Sequence, residues 1–488
     1  MKKVLVANRG EIALRIMRTL KKMNIQSVAV YSDVDADAPF VKFADESYCL
    51  GEATPSQSYL NMDKILNIAV QTNTDGIHPA YGFLSENAIF AQRVKDAGIK
   101  FIGPSIKAIN VMGDKLDAKQ AVKAFDVPMV PGTDEEITDI AEGKKIAEGI
   151  GYPILIKASA GGGGKGMRVV ENSAEFESQF DRAVSEAISS FGNGAVFIEK
   201  YVQQPKHIEI QIIADQHGNV LHLNERECSI QRRHQKVVEE APSPVVDAAL
   251  RKKMGEAAIN VARSCDYEGV GTVEFLLDKD KNFYFLEMNT RLQVEHPVTE
   301  MITGLDLVEE QIKVARGEEL SYTQDEVKLM GHSIEIRVYA EDPLNDFLPD
   351  LGTLVHYERP TGVGIRVDDG YEQGMKIPLT YDPMIAKLIV HAATREEAIE
   401  KTIQAIDDYE IAGFSTTMGF CRFAIDHPQF RSGKFTINFV GDHFKPEMLR
   451  NPVEQEVGDA AYSVFKSVKL EDEPVALKQE LSAWKENR

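Results

Sequence analysis

Thr272-Val-Glu-Phe-Leu-Leu277 and Phe283-Tyr-Phe-Leu-Glu-Met-Asn289 are two apolar segments joined by the polar run Asp278-Lys-Asp-Lys-Asn282. Two such segments with a polar turn between them predict a β-hairpin. If the turn centres on Asp280-Lys281, Glu274 lies opposite Glu287 and both side chains project from one face. Because like charges opposite each other destabilise a sheet, we expect a divalent cation between them. Mg²⁺ is usually bound through one or two carboxylates together with substrate phosphates, so the hairpin predicts a magnesium site for a phosphate-bearing substrate.

The alternation of side chains continues beyond the hairpin. Asn289, Arg291, Gln293 and Glu295 share the parity of Glu287, so a longer strand would present carboxylates, an amide and a guanidinium to one site. The alternative interpretation is a solvated strand face with mixed charges. A glycine-rich loop upstream of the hairpin favours the first interpretation.

That loop has four consecutive glycines, Gly161 to Gly164, followed by Lys165. Such a run costs conformational entropy and adds no packing, but its backbone N–H groups can approach a polyanion closely. It differs from the Walker A loop, since Met167 and β-like residues follow where Ser or Thr and a helix are required. We expect a mobile flap between two strands that closes over a bound nucleotide. The alternative is a disordered surface linker.

The composition is that of an acidic globular protein. A length of 488 residues fits about three domains, and the net charge of −21 disfavours nucleic acid or an anionic membrane as the main partner. No apolar run reaches the roughly 18 residues of a membrane span, and Lys3-Val-Leu-Val-Ala7 is too short for a signal peptide. The four cysteines are widely scattered, as in reduced cytosolic proteins. We therefore expect a cytoplasmic protein.

Periodicity predicts a multidomain chain of α/β and α+β type. Residues 1–113 alternate strands and helices, as in a doubly wound parallel sheet, although their first turn lacks Gly-x-Gly-x-x-Gly and does not support dinucleotide binding. Residues 114–330 carry the glycine flap, in a lid of about 131–202, and then the strand-rich hairpin region. Residues 331–446 form another α+β unit. Residues 447–488 are an acidic tail with a weak helical pattern that could dock a partner subunit.

Two further polar clusters lie between the flap and the hairpin. His207, Glu209 and Gln211 alternate with isoleucines and share one strand face; a lone histidine there is more often structural than a ligand. The run from Arg226 to Glu240 is strongly basic and then acidic. It predicts either a pocket for a small anion or a solvated loop held by ion pairs.

Together these motifs resemble the biotin carboxylase component of biotin-dependent carboxylases, which are ATP-grasp enzymes. The resemblance covers residues 1 to about 446 and includes the glycine flap. Its other motifs span residues 7–15, 78–87, 112–115, 232–240 and 287–300. Ala160 replaces a frequent glycine and Lys165 a frequent arginine. The tail has no counterpart in the minimal form of the family.

The resemblance implies that bicarbonate and MgATP (or MnATP) give carboxyphosphate, which carboxylates biotin on a carrier. It implies ATP contacts for Lys115, Lys157, Gly163, Gly164, Glu199, Lys200, Val202, His207, His234, Glu274 and Glu287, and metal ligation by Glu274, Glu287 and Asn289. It implies bicarbonate binding by Lys236, Arg291, Val294 and Glu295, with Glu295 as base, and an Arg337 that stabilises the biotin enolate. Catalysis would therefore fall to Lys236, Arg291, Glu295 and Arg337.

The resemblance also implies partners: a biotin carboxyl carrier protein, carboxyltransferase subunits and a second copy of the chain. Acetyl-CoA is the favoured final acceptor, with fatty acid biosynthesis as the setting. Propionyl-CoA, another acyl-CoA and pyruvate stay open. Two alternatives are another ATP-grasp ligase that forms an acyl phosphate and an inactive scaffold subunit. The nearest match to a biotinylation motif is Gly374-Met-Lys-Ile377, and we expect Lys376 there to be buried or structural.

Overall fold

The computed structural model describes residues 1–133, 135–158 and 167–449. Gly163 and Gly164 of the predicted flap lie outside the described residues, and so does the acidic tail from residue 450 onward.

The N-terminal region is a five-stranded sheet with helices between its strands. Its elements are β1 (Lys3–Val6), α1 (Gly10–Lys22), β2 (Gln26–Ser32), α2 (Pro39–Phe43), β3 (Glu46–Gly51), α3 (Met62–Gln71), β4 (Gly76–His78), α4 (Ala88–Asp96), β5 (Lys100–Phe101) and α5 (Ile106–Gly113). The strands are parallel and ordered β3-β2-β1-β4-β5. The chain thus winds outward in both directions from β1, which confirms the predicted doubly wound sheet.

The next region is a small antiparallel sheet packed on helices. Its elements are α6 (Lys115–Lys123), α7 (Ile140–Ile150), β6 (Ile154–Ala158), β7 (Met167–Val170), α8 (Phe176–Phe191) and β8 (Val196–Lys200). The strand order is β7-β6-β8. β6 and β7 are the strands on either side of the glycine loop, and they pair from Ile154–Val170 to Lys157–Met167. The β-like residues predicted on both sides of the loop therefore form a hairpin.

The remainder of the chain is built on a single eight-stranded sheet. Its first elements are β9 (Lys206–Ala214), β10 (Val220–Arg232), β11 (Gln235–Ala241), α9 (Ala248–Ser264), β12 (Gly269–Leu277), β13 (Phe283–Asn289), α10 (His296–Thr303) and α11 (Leu307–Ala315). The C-terminal elements are β14 (His332–Tyr339), β15 (Glu341–Asp342), β16 (Leu348–Pro349), β17 (His356–Glu358), β18 (Ile365–Asp369), β19 (Met384–Ala392), α12 (Arg395–Asp407), β20 (Glu410–Ala412), α13 (Met418–Asp426), α14 (Pro428–Arg431) and α15 (Phe439–His443). The strand order is β13-β12-β9-β10-β11-β14-β19-β18.

This sheet runs through the predicted boundary near residue 330. β11 pairs antiparallel with β14, with Glu239 opposite Glu335 and Val238 opposite Ile336. A strand was not predicted for β11, and its pairing with β14 depends on a contact between residues about 100 positions apart. The pairing brings Arg337, on β14, to the face that carries Lys236 and the hairpin.

The C-terminal helices bury an aromatic core against the sheet. Phe420, Phe430, Phe435 and Phe439 are at most 2% exposed and pack on β14 and β19. Lys376 lies on the connection between β18 and β19, where its backbone bridges Thr353. Its side chain is exposed, so the expectation of a buried Lys376 is wrong.

In the described part of the chain, no helix has both the length and the apolar character needed to cross a membrane. The thiols of Cys49, Cys228, Cys265 and Cys421 are free.

Candidate active site

The hairpin of β12 and β13 places Glu274 directly opposite Glu287, as predicted. The predicted turn centre is wrong, however, because Leu277 pairs with Phe283 and the turn is centred on Asp280. That register would put Leu286 opposite Glu274. The register shifts by one residue between Glu274 and Phe275, and this β-bulge brings Glu287 into the opposing position.

The predicted extension of β13 to Glu295 is wrong, since the strand ends at Asn289. Residues 290–295 form a loop, and Glu295 is the N-cap residue of α10. The carboxylate of Glu86 holds this loop by accepting hydrogen bonds from the Thr290 amide at 3.0 Å and from Arg291 Nε at 2.8 Å. Glu86, far away in the sequence, was not predicted as a site residue.

The polar side chains converge nevertheless. Asn289 Nδ2 and Gln293 Nε2 donate to Glu274 Oε1 at 2.9 and 2.8 Å, and Arg291 Nη2 donates to Asn289 Oδ1 at 2.8 Å. The site predicted from strand parity therefore forms, although a loop carries half of it.

Lys236 of β11 is the central cation of the site. Its Nζ donates to Glu209 at 2.5 Å, to Glu274 at 2.9 Å and to Glu295 at 2.7 Å. Burial opposes protonation, but these three carboxylates hold the pKa of Lys236 well above its ordinary value. Burial alone would raise the pKa of Glu295, but Lys236 and Arg337 hold it well below its ordinary value. Glu295 is thus an ionised carboxylate in a desolvated setting.

Arg226 of β10 lies beneath this cluster and is 0% exposed. Its guanidinium donates to the carboxylate of Glu209. It also donates to Gln211 at 2.6 Å, Gln293 at 2.7 Å, Thr299 at 2.9 Å and Thr272 at 3.1 Å. These contacts satisfy the guanidinium donors, so Arg226 fixes neighbouring strands and α10 around Glu209. Sequence reasoning named Arg226 only as the first residue of the Arg226–Glu240 run and did not predict its burial.

Arg337 reaches the cluster from β14. Its Nε donates to Glu239 at 2.7 Å and its Nη2 to Glu295 at 3.0 Å. Arg337 is only 7% exposed, and the two carboxylates together with Tyr339 outweigh burial and raise its pKa well above the ordinary value. Arg337 and Lys236 therefore bind the same carboxylate, that of Glu295.

The remaining predicted nucleotide residues lie around the small antiparallel sheet. Lys157 on β6 and Lys119 on α6 both form ion pairs with Glu199 on β8. Burial alone would raise the pKa of Glu199, but these two lysines lower it. Lys119 was not predicted; it lies one helical turn after Lys115, a spacing that places the two on one helix face. Lys115, the first residue of α6, lowers the pKa of Glu287 and so lies within electrostatic reach of the hairpin.

Other predicted contacts are arranged differently. Lys200 Nζ donates to the carbonyls of Gly151 at 2.8 Å and Tyr152 at 3.1 Å, so this cation braces the turn before β6. Val202 is half-buried, whereas His234 is exposed at the β10–β11 turn.

The basic run that was predicted as one anion pocket divides at that turn. Lys236 faces the site, whereas Arg233 is exposed and binds Asp346 at 2.6 Å. Arg232 stacks on Phe347 at 4.7 Å. The prediction of a loop held by ion pairs is confirmed for Arg233, whereas the anion pocket at Lys236 stays a prediction.

The hairpin residues have the ligand chemistry that Mg²⁺ requires. Glu274, Glu287 and Asn289 offer oxygen atoms, and His207 Nε2 lies 3.0 Å from Glu274 Oε2. Burial lowers the pKa of His207, but Glu274 and Glu209 together raise it above its ordinary value. Desolvation in the cleft and the facing Glu274 raise the pKa of Glu287, whose side chain still reaches solvent. A cation between the two carboxylates would relieve this repulsion, so the residues fit the metal.

Family comparisons agree with this geometry. Residues 1–109 match the family described as "Biotin carboxylase, N-terminal domain", and residues 114–323 match "Carbamoyl-phosphate synthase L chain, ATP binding domain". Residues 335–442 match "Biotin carboxylase C-terminal domain". Fold and site together define an ATP-dependent ligase of the ATP-grasp class. The chain belongs to the biotin carboxylase family.

Relatives of this family cover almost the whole chain. A biotin carboxylase of Halalkalibacterium halodurans is 52% identical over 451 residues, which are 92% of this chain and 100% of the relative. A pyruvate carboxylase subunit from Methanothermobacter thermautotrophicus is 50% identical over 90% of both chains. The human mitochondrial propionyl-CoA carboxylase alpha chain is 50% identical over 96% of this chain and 65% of its own.

Solved structures give the same result. The Campylobacter jejuni biotin carboxylase in complex with a βγ-ATP ligand has a TM-score of 0.86 at 47% identity, over 91% of this chain and 99% of that one. The biotin carboxylase domain dimer of the Hydrogenobacter thermophilus 2-oxoglutarate carboxylase, bound to MgADP and bicarbonate, also has a TM-score of 0.86 at 47% identity. It covers 92% of this chain and 99% of that one.

The chain is therefore an ATP-dependent biotin carboxylase that uses ATP, Mg²⁺ and biotin. These findings decide against another ATP-grasp ligase and against an inactive scaffold, the two alternatives that the sequence had left open.

Proposed function

We propose that this chain performs the first half-reaction of an acyl-CoA carboxylase built from several subunits, with acetyl-CoA as the final acceptor. Bicarbonate and MgATP form carboxyphosphate, and the carboxyl group then passes to biotin on a separate carrier protein. The observation that carries the proposal is the position of Glu295. Its two oxygens bind Lys236 at 2.7 Å and Arg337 at 3.0 Å, so one carboxylate adjoins the cation assigned to bicarbonate and the cation assigned to biotin.

In the first step Glu295 takes the proton of bicarbonate. The freed oxygen attacks the γ-phosphorus of ATP, and ADP leaves. Lys236 and the fork of Arg291 hold the anion, because a guanidinium matches a planar oxyanion bidentately. Lys387 Nζ donates to the Val294 carbonyl at 2.9 Å, which fixes the backbone assigned to the same anion. The positive side chains also offset the charge that collects as the phosphate and carbonate oxygens approach.

The metal, when bound, neutralises the phosphate oxygens and aligns the γ-phosphate. Glu274 and Glu287 would hold it with Asn289, and Lys115, Lys157 and His207 would bind phosphate or ribose. Glu199, Lys200, Val202 and His234 complete the nucleotide contacts. Gly163 and Gly164, which lie outside the described residues, are assigned to the phosphates by resemblance alone. Lys157 is paired with Glu199 in the structure. We expect this ion pair to open when ATP enters and Lys157 binds the phosphates.

In the second step the bond between the carboxyl carbon and the phosphate oxygen of carboxyphosphate breaks. Phosphate leaves and takes up the ureido proton of biotin, and the carboxyl carbon bonds to the ureido nitrogen. Arg337 stabilises the negative charge on the biotin enolate. Such a charge develops only after carboxyphosphate has formed, so Arg337 acts late. Its position between Glu239 and Glu295 supports this role, since it is a fully charged donor in a desolvated place.

The division into a domain of residues 1–113, an ATP-grasp region of 114–330 and a C-terminal domain of 331–446 belongs to the same proposal. So do a homodimer, carrier and carboxyltransferase partners, and a place in the cytoplasm. A dimer among the similar structures supports the second copy, and the free cysteines suit a reducing compartment. Acetyl-CoA is preferred because a relative named simply biotin carboxylase is matched over its full length, although relatives named for pyruvate and propionyl-CoA are nearly as similar.

The test is the release of ADP by the purified chain. We expect ATP cleavage to need both bicarbonate and Mg²⁺ and to rise with free biotin. An ATPase rate that ignores bicarbonate would contradict the proposal. The acceptor is tested separately, by supplying the co-purifying carboxyltransferase with acetyl-CoA, propionyl-CoA and pyruvate in parallel. Preferential carboxylation of pyruvate or propionyl-CoA would replace the acetyl-CoA assignment and leave the half-reaction standing.

A further inference from the structure

Two buried glutamates behind Arg337 take no part in the two reaction steps. Glu239 of β11 is directly opposite Glu335 of β14, and both are 0% exposed. Directly opposed side chains lie on one face of a sheet, with Cβ atoms about 4.5–5.5 Å apart. The two carboxyl groups are therefore neighbours in a place without water.

Three of their four oxygens have no hydrogen-bond partner in the described part of the chain. Glu239 Oε1 accepts from Arg337 Nε at 2.7 Å, but Glu239 Oε2 and both oxygens of Glu335 are unpaired. A buried carboxylate without donors is costly, and a group so placed takes up a proton instead. One proton between the pair would turn an acceptor into a donor and satisfy two oxygens at once.

The surrounding charges leave room for such a proton. Glu335 faces Glu239, Arg337, Glu295 and Lys387, but the Lys387 ammonium is directed to the Val294 carbonyl at 2.9 Å. It also lies 3.4 Å from Glu11. The charged groups that face Glu239 are Arg337, Glu295, Lys236 and Glu209, together with the thiol of Cys421 from α13. Around the two glutamates, the neighbouring carboxylates are at least as many as the cations that can bind them, so these cations do not neutralise both glutamates.

The titration of the pair agrees with its geometry. Burial raises the pKa of Glu335 well above its ordinary value, and Lys387 lowers it only in part. Burial raises the pKa of Glu239 to about 7, against the lowering effect of Arg337.

We propose that Glu239 and Glu335 share a proton in the folded enzyme at neutral pH, and that this protonated pair positions the Arg337 guanidinium between Glu239 and Glu295. The proposal rests on the proposed role of Arg337 toward biotin. Both glutamates are positioning residues that act through Arg337. When the proton is lost, a second negative charge beside Glu239 draws the guanidinium away from Glu295 and from the biotin side of the site.

The sign of the pH dependence follows from the raised pKa values. The folded protein holds this proton more tightly than the unfolded chain, so its stability is lost as pH rises from the ordinary glutamate pKa through that of the pair. Biotin carboxylation declines only at the upper, alkaline end of this range, where the pair loses its proton, whereas the bicarbonate-dependent ATP cleavage that precedes it is affected less.

Glu335→Gln tests the proposal, because an amide is neutral, has nearly the same shape and can donate to Glu239. We expect the variant to keep biotin carboxylation within about twofold of wild type at neutral pH and to lose the alkaline decline. Its melting temperature should exceed that of wild type above neutral pH. In infrared spectra, the variant should lack part of the protonated-carboxyl band that wild type shows at neutral pH and that shifts in D₂O.

Glu240→Gln is the matched control. Glu240 is the next residue on β11 and is 1% exposed, but Arg395 binds it at 2.7 and 2.9 Å and His332 at 2.7 Å. Burial would raise the pKa of Glu240, yet its hydrogen bonds with His332 and Arg395 and the charge of Arg395 lower it. Glu240 is therefore ionised, and its variant should keep the whole band. If Glu335→Gln does not fold, Glu239→Gln replaces it, since its amide oxygen can still accept from Arg337.

The outcomes separate this inference from the proposed function. If neither Glu335→Gln nor Glu239→Gln removes a component of the protonated-carboxyl band, the proposal of a shared proton is wrong. This holds even if ATP cleavage depends fully on bicarbonate. A lost component with an unchanged pH profile of biotin carboxylation would overturn the positioning role. Failure of the bicarbonate test would instead remove the proposed function and leave the band as it is.

Discussion

Replacing Lys236 by methionine removes the one ammonium that three buried carboxylates share. The Nζ atom lies 2.5 Å from Glu209, 2.7 Å from Glu295 and 2.9 Å from Glu274. At an effective dielectric constant of about 20, each of these contacts corresponds to roughly 6 kcal/mol of Coulomb energy. Desolvation and repulsion among the carboxylates offset most of that sum. Removal of one partner from a buried ion pair typically costs about 3–5 kcal/mol, and we expect a loss in free energy of unfolding of that size near pH 8.

The loss should shrink as the pH falls. In wild type the pKa values of Glu274 and Glu295 lie well below their ordinary value, so the stability from these groups is already complete above the unfolded pKa and is lost only in acid. Without Lys236 the same burial would raise both pKa values. The variant then loses stability as pH rises, by up to about 1.4 kcal/mol per pH unit for each proton released. Between pH 6 and pH 8 the contribution of Glu274 and Glu295 should therefore stay constant in wild type and fall in the variant.

Urea unfolding of both proteins, followed by far-ultraviolet circular dichroism near pH 6 and pH 8, measures this difference. Lys252→Met is the matched control, because Lys252 is 77% exposed and lies 4.0 Å from Glu256, and it should change stability by at most about 0.5 kcal/mol. A Lys236→Met variant as stable as wild type at pH 8 would refute the reasoning. A loss of equal size at both pH values would show that packing, rather than charge, is responsible.

Further predictions concern the reaction and the supporting residues. Arg337→Ala should reduce biotin carboxylation by about 10²–10³ while sparing bicarbonate-dependent ATP cleavage, whereas Glu295→Ala should suppress both; the reverse pattern in an ADP-release assay would exchange their roles. Arg226→Met should lower the melting temperature more than Arg422→Met, because Arg226 is fully buried and Arg422 pairs with Asp407 at the surface; equal melting curves would count against it. A streptavidin blot of the chain expressed with a biotin ligase should be blank, and a band that vanishes in Lys376→Arg would identify a carrier lysine.

The sequence by itself determined the chemistry of the site. A period of two in a strand is a local property, so the parity of Glu274, Glu287 and Asn289 was sufficient to predict a shared face. The glycine run, the Gln231–Glu240 segment and the motif after Glu287 were specific enough to indicate the biotin carboxylase family before any coordinates. The parallel N-terminal sheet followed from alternating strand and helix patterns in the same way.

Tertiary structure decided the register and the distant partners. Only the β-bulge beside Glu274 brings Glu287 opposite it, and a bulge has no local signature in this hairpin. The loop after Asn289 leaves the strand because Glu86, about 200 residues away, holds it. Arg226 and Lys387 are ordinary cations in the sequence, and burial beside carboxylates or carbonyls makes them part of the site.

The pairing of β11 with β14 shows the difference most clearly. The strand β14 was predicted, but whether Glu239 meets Glu335 depends on which of several strands become neighbours and in which register. A slip of one strand by one residue would place the two carboxylates on opposite faces of the sheet. The sequence specifies the chemistry of each side chain. The distance between two charges and their access to water are set only when the chain has folded. These two quantities determine the protonation state of each buried glutamate, and with it the roles proposed for Glu295, Glu274, Glu287 and Glu335.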